Sequence, residues 1–149
     1  MQYFTAESLE KIKKELNHLK TVETKKIADL LKYTASFGDL SENAAYDDAK
    51  ERQMFLQMRI KELEVILAGA RIVEKEDENI VQVGSVVAVF LGGKKEKFEI
   101  TAPSQADVLK NKISYESPLG KAMFGKKAGE KFSYKIEDKE VRGEILAIE

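Results

Sequence analysis

The chain has 149 residues, of which 43% are hydrophobic, and this is enough apolar sequence for one ordinary domain or two small ones. The 25 basic residues nearly balance 26 acidic ones, and a net charge of -1 excludes strong attraction to bare nucleic acid or to an anionic membrane. The absence of cysteine excludes disulfides, thiolate metal sites and a cysteine nucleophile, and it fits a reducing cytoplasm.

Neither the first residues nor the longest uncharged run indicates a membrane or secretory role. Residues 1–7 lack the basic and then apolar order of a signal peptide. The longest uncharged run, residues 79–93, is shorter than the roughly 18 residues of a membrane helix, and Gly84 interrupts it. We therefore expect a soluble, cytoplasmic protein with no membrane partner.

The first predicted element is a long helix that begins after Thr5, a residue type that caps helices well. Its apolar positions alternate at spacings of three and four: Leu9, Ile12, Leu16 and Leu19. When the same three-four spacing is continued, it reaches two charged residues and then three apolar ones: Glu23, Lys26, Leu30, Tyr33 and Phe37. We expect Val22 and Ile27 to fill the interruption through a small shift of phase. The pattern predicts a helix from about Thr5 to about Phe37.

A bend must follow, in the stretch Gly38-Asp39-Leu40-Ser41-Glu42-Asn43-Ala44-Ala45-Tyr46. Gly38 can adopt the left-handed backbone that ends a helix, and Asp39 or Ser41 can cap the next helix. Asp39 and Glu42 also have the spacing of a capping box, in which both acids would only satisfy backbone N–H groups.

The bend is, however, richer in acids than a turn requires, because Asp39, Glu42, Asp47 and Asp48 lie within ten positions. Two carboxylates can contribute to a Mg²⁺ site, but that ion requires about six oxygens. If these acids take part in chemistry, they complete the active site of another molecule. The residues alone leave both interpretations open.

The second predicted helix has the more regular seam, with one polar member: Tyr46, Ala49, Gln53, Leu56, Ile60, Leu63, Leu67 and Ala70. Two seams of similar length joined by a short bend pack best as an antiparallel coiled coil. We therefore predict a coiled-coil hairpin domain over residues 1–74, and the charged residues 75–79 as a linker.

The periodicity changes in residues 80–149, which predict a second, globular domain. Valine-rich sequence running into Gly92-Gly93 predicts a β-hairpin. Ser117 and Pro118 offer a cap and a first-turn proline for a short helix over residues 119–124. Two closing strands, residues 131–136 and 141–148, flank a predicted turn at 137–138. The fold class is α+β, a helical hairpin followed by a small sheet with one short helix.

Three stretches resemble the GreA/GreB family of bacterial transcript-cleavage factors. The first is Gly38-Asp39-Leu40-Ser41-Glu42-Asn43-Ala44 with Tyr46 and Ala49-Lys50. The others are Ile113-Ser114-x-x-Ser117-Pro118-Leu119 and Gly125-Lys126-Lys127-x-Gly129. Motif order and heptad lengths agree over nearly the whole chain, and the chain is more similar to GreA than to GreB. The resemblance implies an FKBP-like second domain.

The resemblance also implies a function. The hairpin would enter the secondary channel of a backtracked RNA polymerase, and the globular domain would dock on the channel rim through Ser117 and Pro118. Asp39 and Glu42 would bind a Mg²⁺ ion shared with the polymerase, so that the polymerase cleaves the nascent RNA near its 3' end. The protein would then be a monomer that stimulates cleavage without being a nuclease.

The remaining expected site residues support the tip or contact RNA. Ser41, Asn43 and Tyr46 would support the tip, with Ser41 acting mainly as a helix cap. Lys50 and Arg52 would contact RNA, although an ordinary solvated face is an equally good explanation of both.

The sequence departs from the family pattern at two places. Ala45 stands where many members have an acid, and Thr34-Ala35-Ser36 replaces a turn that often carries arginine. The second change predicts weak binding of long extruded RNA and release of short fragments.

Three other functions are also compatible with the sequence. They are a channel-binding polymerase inhibitor on the same scaffold, a prolyl isomerase in the second domain, and a coiled-coil adaptor or chaperone.

Overall fold

The structure, a computed structural model, describes residues 1–38 and 43–149, which form two compact units. A helical unit comprises Ser8–Gly69, and a sheet unit comprises Met1–Glu7 together with Ala70–Glu149. The predicted hairpin domain comprised residues 1–74, whereas the helical unit begins at Ser8 and ends at Gly69. A short parallel pair explains the difference, because β1 (Gln2–Phe4) hydrogen-bonds to β2 (Ala70–Ile72). Both ends of the hairpin sequence therefore belong to the sheet unit.

Four helical segments form the hairpin predicted from the two seams. They are α1 (Ala6–His18), a π-helical turn (Leu19–Glu23), α2 (Thr24–Ala35) and α3 (Ala44–Ala68). The first three are continuous and make one arm, and α3 makes the other. Gly38 has a φ of 103°, as expected of the glycine that ends the first arm. Within residues 1–38 and 43–149, no helix combines the length and apolarity needed to cross a membrane.

The π-helical turn explains why the seam of the first arm departs from the prediction. It adds one residue to the turn, so every later position is rotated by about 100° relative to an uninterrupted α-helix. The seam continues through Glu23, Ile27, Leu30 and Thr34, all buried or half-buried. Ile27 is thus where it was expected, whereas Val22, which was expected to fill the same interruption, is 41% exposed. The predicted seam positions Tyr33 and Phe37 are wrong, because their side chains are 65% and 55% exposed.

The second arm follows its predicted seam. Its members from Tyr46 to Leu67 are buried or half-buried, and Ala49 and Leu63 are fully packed. The last predicted member, Ala70, lies in β2 instead, because α3 ends at Ala68. Ion pairs on the outside also connect the arms, with Arg59 contacting Glu15 at 2.9 Å and Lys20 contacting Glu64 at 2.6 Å.

These ion pairs add little to stability. The Lys20 ammonium lowers the pKa of the Glu64 carboxyl below its usual value, first by its hydrogen bond and then by its charge. Because the pairs are solvated, they contribute much less than the buried seam.

The sheet unit contains a five-stranded sheet whose order is β5-β4-β3-β7-β6. Its strands are β3 (Val86–Leu91), β4 (Lys94–Thr101), β5 (Lys112–Ser114), β6 (Lys131–Ile136) and β7 (Lys139–Ile148). The β3–β4 and β6–β7 hairpins confirm the two predicted turns, and only β4–β5 is parallel among these pairs. The three-residue strands β1, β2 and β5 were not predicted, because they are too short for a period of two to be visible.

One hydrophobic cluster lies between this sheet and the helix α4 (Pro118–Met123). Alternate residues of β3, Val87 and Val89, are completely buried, as are Ile100, Met123 and Ile145. Val81 also belongs to the cluster although it precedes β3 and is not in a strand. Close packing of α4 requires Gly120, since a Cβ there would lie 2.0 Å from the Ser114 carbonyl oxygen.

Replacing Gly120 with alanine should therefore destabilise the sheet unit. The added methyl meets backbone, which cannot rotate away, and the expected loss in the free energy of unfolding is about 2–3 kcal/mol. Urea unfolding followed through the NMR signals of the core residue Ile145 measures it. Lys121→Ala, an exposed change in the same helix, is the control, and equal stability of the two variants would contradict the close approach.

Candidate functional site

The candidate site is the bend between the two arms, where the sequence concentrates acids. Asp39, Ser41 and Glu42 lie outside the residues that the structure describes. The structure does describe both flanks of the bend, which end at Gly38 and begin again at Asn43. The flank that begins at Asn43 shows which residue caps the second arm.

Asn43 caps the second arm. Its backbone has φ -93° and ψ 90°, outside the helical region, and its Oδ1 accepts a hydrogen bond from the Tyr46 backbone N–H at 3.0 Å. Its carbonyl accepts the first helical bond from the Asp47 N–H at 3.1 Å. The expectation that Asp39 or Ser41 caps this helix is therefore wrong. Aspartate, serine and asparagine all cap helices well, and the residue directly before the helix, Asn43, is the one that does so here.

A second bond of the same side chain joins the two arms. Asn43 Nδ2 donates to the Thr34 carbonyl, and both residues are buried, with 9% and 3% of their surfaces exposed. The Thr34 hydroxyl donates to the Leu30 carbonyl at 2.9 Å and to the Leu31 carbonyl at 3.2 Å. We call this pair the Thr34–Asn43 clamp. It fixes the end of the first arm against the start of the second, on the two sides of the bend.

Three further site residues lie in the first turns of α3. Tyr46 is half-buried, which supports a packing role at the start of the seam, and Lys50 Nζ lies 5.6 Å from its ring centroid. Arg52 contacts Asp48 at 3.1 Å in a solvated pair one turn apart. Lys50 and Arg52 are both exposed, so both are available to a partner. The spacing of four between Asp48 and Arg52 is the sequence signal for such a pair on a helix.

The fit of a metal ion can be judged from the donors available. In the described part of the chain, no group of three or more histidine or acidic side chains could hold a metal ion. Asp39 and Glu42 would add two carboxylates, the oxygen chemistry that Mg²⁺ prefers, but about six oxygens are needed. The donor set suits Mg²⁺ in type and falls short of it in number.

The second predicted site, at the start of α4, has the local structure expected from the sequence. Ser117 Oγ accepts a hydrogen bond from the Gly120 backbone N–H at 3.0 Å and donates to the Ser114 carbonyl at 2.7 Å. Pro118 is the first residue of the helix and is exposed. The helix start thus holds an exposed proline ring in one orientation on a buried scaffold.

Asn43→Ala should destabilise the helical unit, because it removes both the cap and the bond between the arms. We expect a loss of about 1–3 kcal/mol in the free energy of unfolding. Asn43→Asp keeps the capping oxygen and removes the donor to Thr34, so its loss should be smaller. Urea unfolding followed by circular dichroism, with hydrogen exchange at Tyr46 and Asp47, measures both effects. Unchanged exchange at these two amides in Asn43→Ala would contradict the cap.

Two family models match the chain, and together they span nearly all of it. "Transcription elongation factor, N-terminal" matches residues 2–72, and "Transcription elongation factor, GreA/GreB, C-term" matches residues 76–149. A solved structure, that of the GreA factor homolog 1 (Gfh1) protein of Thermus thermophilus, is 25% identical with a TM-score of 0.46. The match covers 99% of this chain and 97% of that one.

Curated relatives are similar over the same length. The transcription elongation factor GreA of Caldanaerobacter subterraneus subsp. tengcongensis is 42% identical over 97% of this chain and 94% of its own. The transcription elongation factor GreA of Clostridium novyi is 41% identical over 97% of this chain and 93% of its own. Matches of this identity and coverage, together with both family models, show that the chain belongs to the GreA/GreB family of transcription elongation factors.

Proposed function

We propose that this protein inserts the bend of its helical hairpin into the secondary channel of RNA polymerase and stimulates Mg²⁺-dependent cleavage of backtracked nascent RNA. The protein supplies two carboxylates, Asp39 and Glu42, and the polymerase supplies the remaining ligands and the RNA. Cleavage near the 3' end leaves a new end in the active centre and rescues an arrested complex. On this proposal the chain is not itself a nuclease.

The observation that carries the proposal is the cap of α3. The plainest alternative role for the two acids was to satisfy backbone N–H groups at a helix start. Asn43 is the N-cap, and the position of a capping-box acid, three residues later, is Tyr46. Among the residues that the structure describes, Asn43 supplies the side-chain cap of the second arm. Asp39 and Glu42 then need not serve as the N-cap or as the acid of a capping box, and a partner is the better explanation of both.

The donor count explains why the partner is needed. Asp39 and Glu42 would hold the Mg²⁺ together with acids of the polymerase, since two carboxylates alone give too few oxygens. When bound, the ion supplies an activated water and stabilises charge on the phosphate that is attacked. The chain's own contribution is to place the two side chains, which requires that the flanks of the bend be fixed. The Thr34–Asn43 clamp does this.

The basic residues near the bend would contact the extruded RNA. Lys50 and Arg52 are exposed on the first turns of α3, and Arg52 already contacts Asp48. The first arm offers no matching arginine, because Thr34 is buried in the clamp and is followed by Ala35 and Ser36. With Lys32 as the basic residue in the last turn of α2 and no arginine there, the protein would hold a short RNA segment, and it would favour release of short fragments.

The start of α4 would dock on the polymerase. Ser117 forms the cap and the bonds that hold the helix, so Pro118 is the member that faces outward. An exposed, rigid apolar ring loses little conformational entropy when a partner covers it. We therefore assign the contact itself to Pro118 and its positioning to Ser117.

The double variant Asp39→Asn with Glu42→Gln tests the metal role. Both changes keep size and polarity but remove the negative charge that Mg²⁺ requires, so stimulated cleavage should fall by about a hundredfold or more. The assay is release of short RNA from purified, halted elongation complexes in the presence of magnesium. Asp47→Asn with Asp48→Asn removes the same charge from neighbouring positions and should retain most of the activity.

Binding measured in parallel separates the rival functions. If the double variant binds polymerase normally and has lost cleavage, the proposal is supported. If the unchanged protein binds and inhibits without releasing RNA, it is the channel-binding inhibitor. Cleavage that persists in the double variant excludes the proposed carboxylate role. A peptide prolyl isomerisation assay tests the isomerase alternative, and lack of any polymerase binding would favour an adaptor.

Pro118→Ala tests the docking role. Ser117 still caps the helix, so the fold should be retained, whereas polymerase affinity should fall about fivefold because an exposed apolar contact is lost. The control is Pro103→Ala, which alters the chain's other proline, at the start of a 3-10 turn in the same unit. Anisotropy of the labelled protein titrated with polymerase gives both affinities. Equal affinities of the two variants would exclude Pro118 from the contact.

A further inference from the structure

A cleft in the sheet unit is used neither by the fold nor by the proposed function. Its volume is about 470 Å³, within the usual range of ligand sites. Three aromatic rings and several aliphatic side chains line it: Tyr3, Tyr115, Phe124, Val73, Ile80 and Val83. We call it the tyrosine cleft. Tyr3 and Phe124 remain 42% and 47% exposed, so a large aromatic surface faces solvent there.

Hydrogen bonds hold both walls of the tyrosine cleft in place. On one side, the Tyr115 hydroxyl accepts a bond from the Tyr3 backbone N–H at 3.0 Å, which fixes β1 against the loop that carries Tyr115. On the other side, the Gln82 side chain accepts from the Glu76 N–H at 3.1 Å and donates to the Asp77 carbonyl at 2.6 Å. The cleft is therefore formed before any ligand binds, which lowers the cost of binding.

The floor is equally well ordered. The Gly125 N–H donates to the Val81 carbonyl at 2.8 Å, and the Val81 N–H donates to the Lys126 carbonyl at 2.9 Å. Val81 is completely buried, so the floor is part of the hydrophobic cluster of the unit. The rigid sheet thus supports the cleft directly.

The charge of the cleft selects the kind of ligand. Of the described residues that line it, Glu74 and Glu76 are acidic and none is lysine or arginine. Both acids are exposed, and neither forms an ion pair with another described residue. Lys75, which lies between them, donates to the Glu149 carbonyl at 3.3 Å instead. The side chains that line the cleft therefore carry negative charge and no positive charge, which favours a cationic ligand over an anionic one.

Two of the rings, Tyr3 and Tyr115, form an aromatic pair in the cleft. The centroids of Tyr3 and Tyr115 are 6.2 Å apart, and their planes are inclined at 58°. We call this pair the aromatic corner, and the exposed ring of Tyr3 offers a π-face to which a guanidinium or ammonium group can bind. The carboxylates of Glu74 and Glu76 can neutralise its charge, while Phe124, Val73 and Ile80 accept apolar groups on either side.

From this combination we propose that the tyrosine cleft binds an extended protein segment that carries an arginine or lysine flanked by apolar residues. The basic side chain enters the aromatic corner, and its apolar neighbours cover the exposed ring of Phe124 and the aliphatic wall. This site goes beyond the proposed function, because none of its residues belongs to the bend or to the start of α4.

The test uses the full-length protein and three synthetic probes. The first is the peptide acetyl-Leu-Arg-Leu-amide, and the second replaces its arginine with citrulline, which has the same shape and no charge. The third is methylguanidinium alone. Titrations followed by ¹H–¹⁵N NMR should give saturable shifts at Tyr3, Tyr115 and Phe124 with the arginine peptide. Binding of the citrulline peptide and of methylguanidinium should each be at least about fivefold weaker.

Matched variants locate the site. Glu74→Gln with Glu76→Gln should weaken binding of the arginine peptide about fivefold, and Phe124→Leu should weaken it by a similar factor. The control, Glu78→Gln with Glu116→Gln, removes the same charge from exposed positions outside the cleft. Its affinity for the arginine peptide should stay within about twofold of that of the unchanged protein, because solvent screens remote charges.

Several results would overturn the proposal. They are the absence of saturable shifts, shifts confined to another surface, equal affinity for the citrulline peptide, or equal loss in the two charge variants. Methylguanidinium binding as tightly as the peptide would mean a site for small cations instead of a protein segment. Because no polymerase or RNA is present, the outcome is independent of whether Asp39 and Glu42 stimulate cleavage.

Discussion

The clamp between Thr34 and Asn43 is the interaction on which the functional interpretation of this molecule depends. A single amide side chain caps one helix with its oxygen and bonds the end of the other arm with its nitrogen. Buried amides are stable only when their hydrogen bonds are made, and this one makes two in the narrow seam of a hairpin. The second arm is thereby capped by a neutral residue. The acids of the bend are therefore not needed as the N-cap of α3.

The clamp and the π-helical turn together determine which face of the first arm meets the second. Thr34 occupies a seam position because the extra residue in Leu19–Glu23 moves every later position by one. In an uninterrupted helix the same count would place Tyr33 and Phe37 in the seam and turn Thr34 outward. The local irregularity, which ends fifteen residues before Gly38, is therefore what brings the Thr34 carbonyl to Asn43.

Much of the fold could be predicted from residue patterns because its elements are long or have strong turn signals. The α3 seam, the Gly92-Gly93 hairpin and the Ser117-Pro118 helix start are each encoded within one segment. The π-helical turn was visible in the sequence only as an interruption of the seam at Glu23 and Lys26. Charged residues at two seam positions indicate that the helix must adjust, but they do not indicate that it does so through a π-helical turn. The pairing of β1 with β2 joins residues about seventy positions apart, and no local pattern reports such a contact.

The site shows the same limit. The acidic bend could be found by its composition, and the family signature assigned roles to its residues. Which of Asp39, Ser41 and Asn43 caps the helix could not be found, because all three residue types cap well and the choice depends on where the buried seam ends. Asn43 is selected because only a side chain with both a donor and an acceptor can also bond the Thr34 carbonyl. Aspartate would cap the helix and leave that buried carbonyl without this donor, so the packed seam, as well as the propensity of the cap, decides which residue begins the second arm.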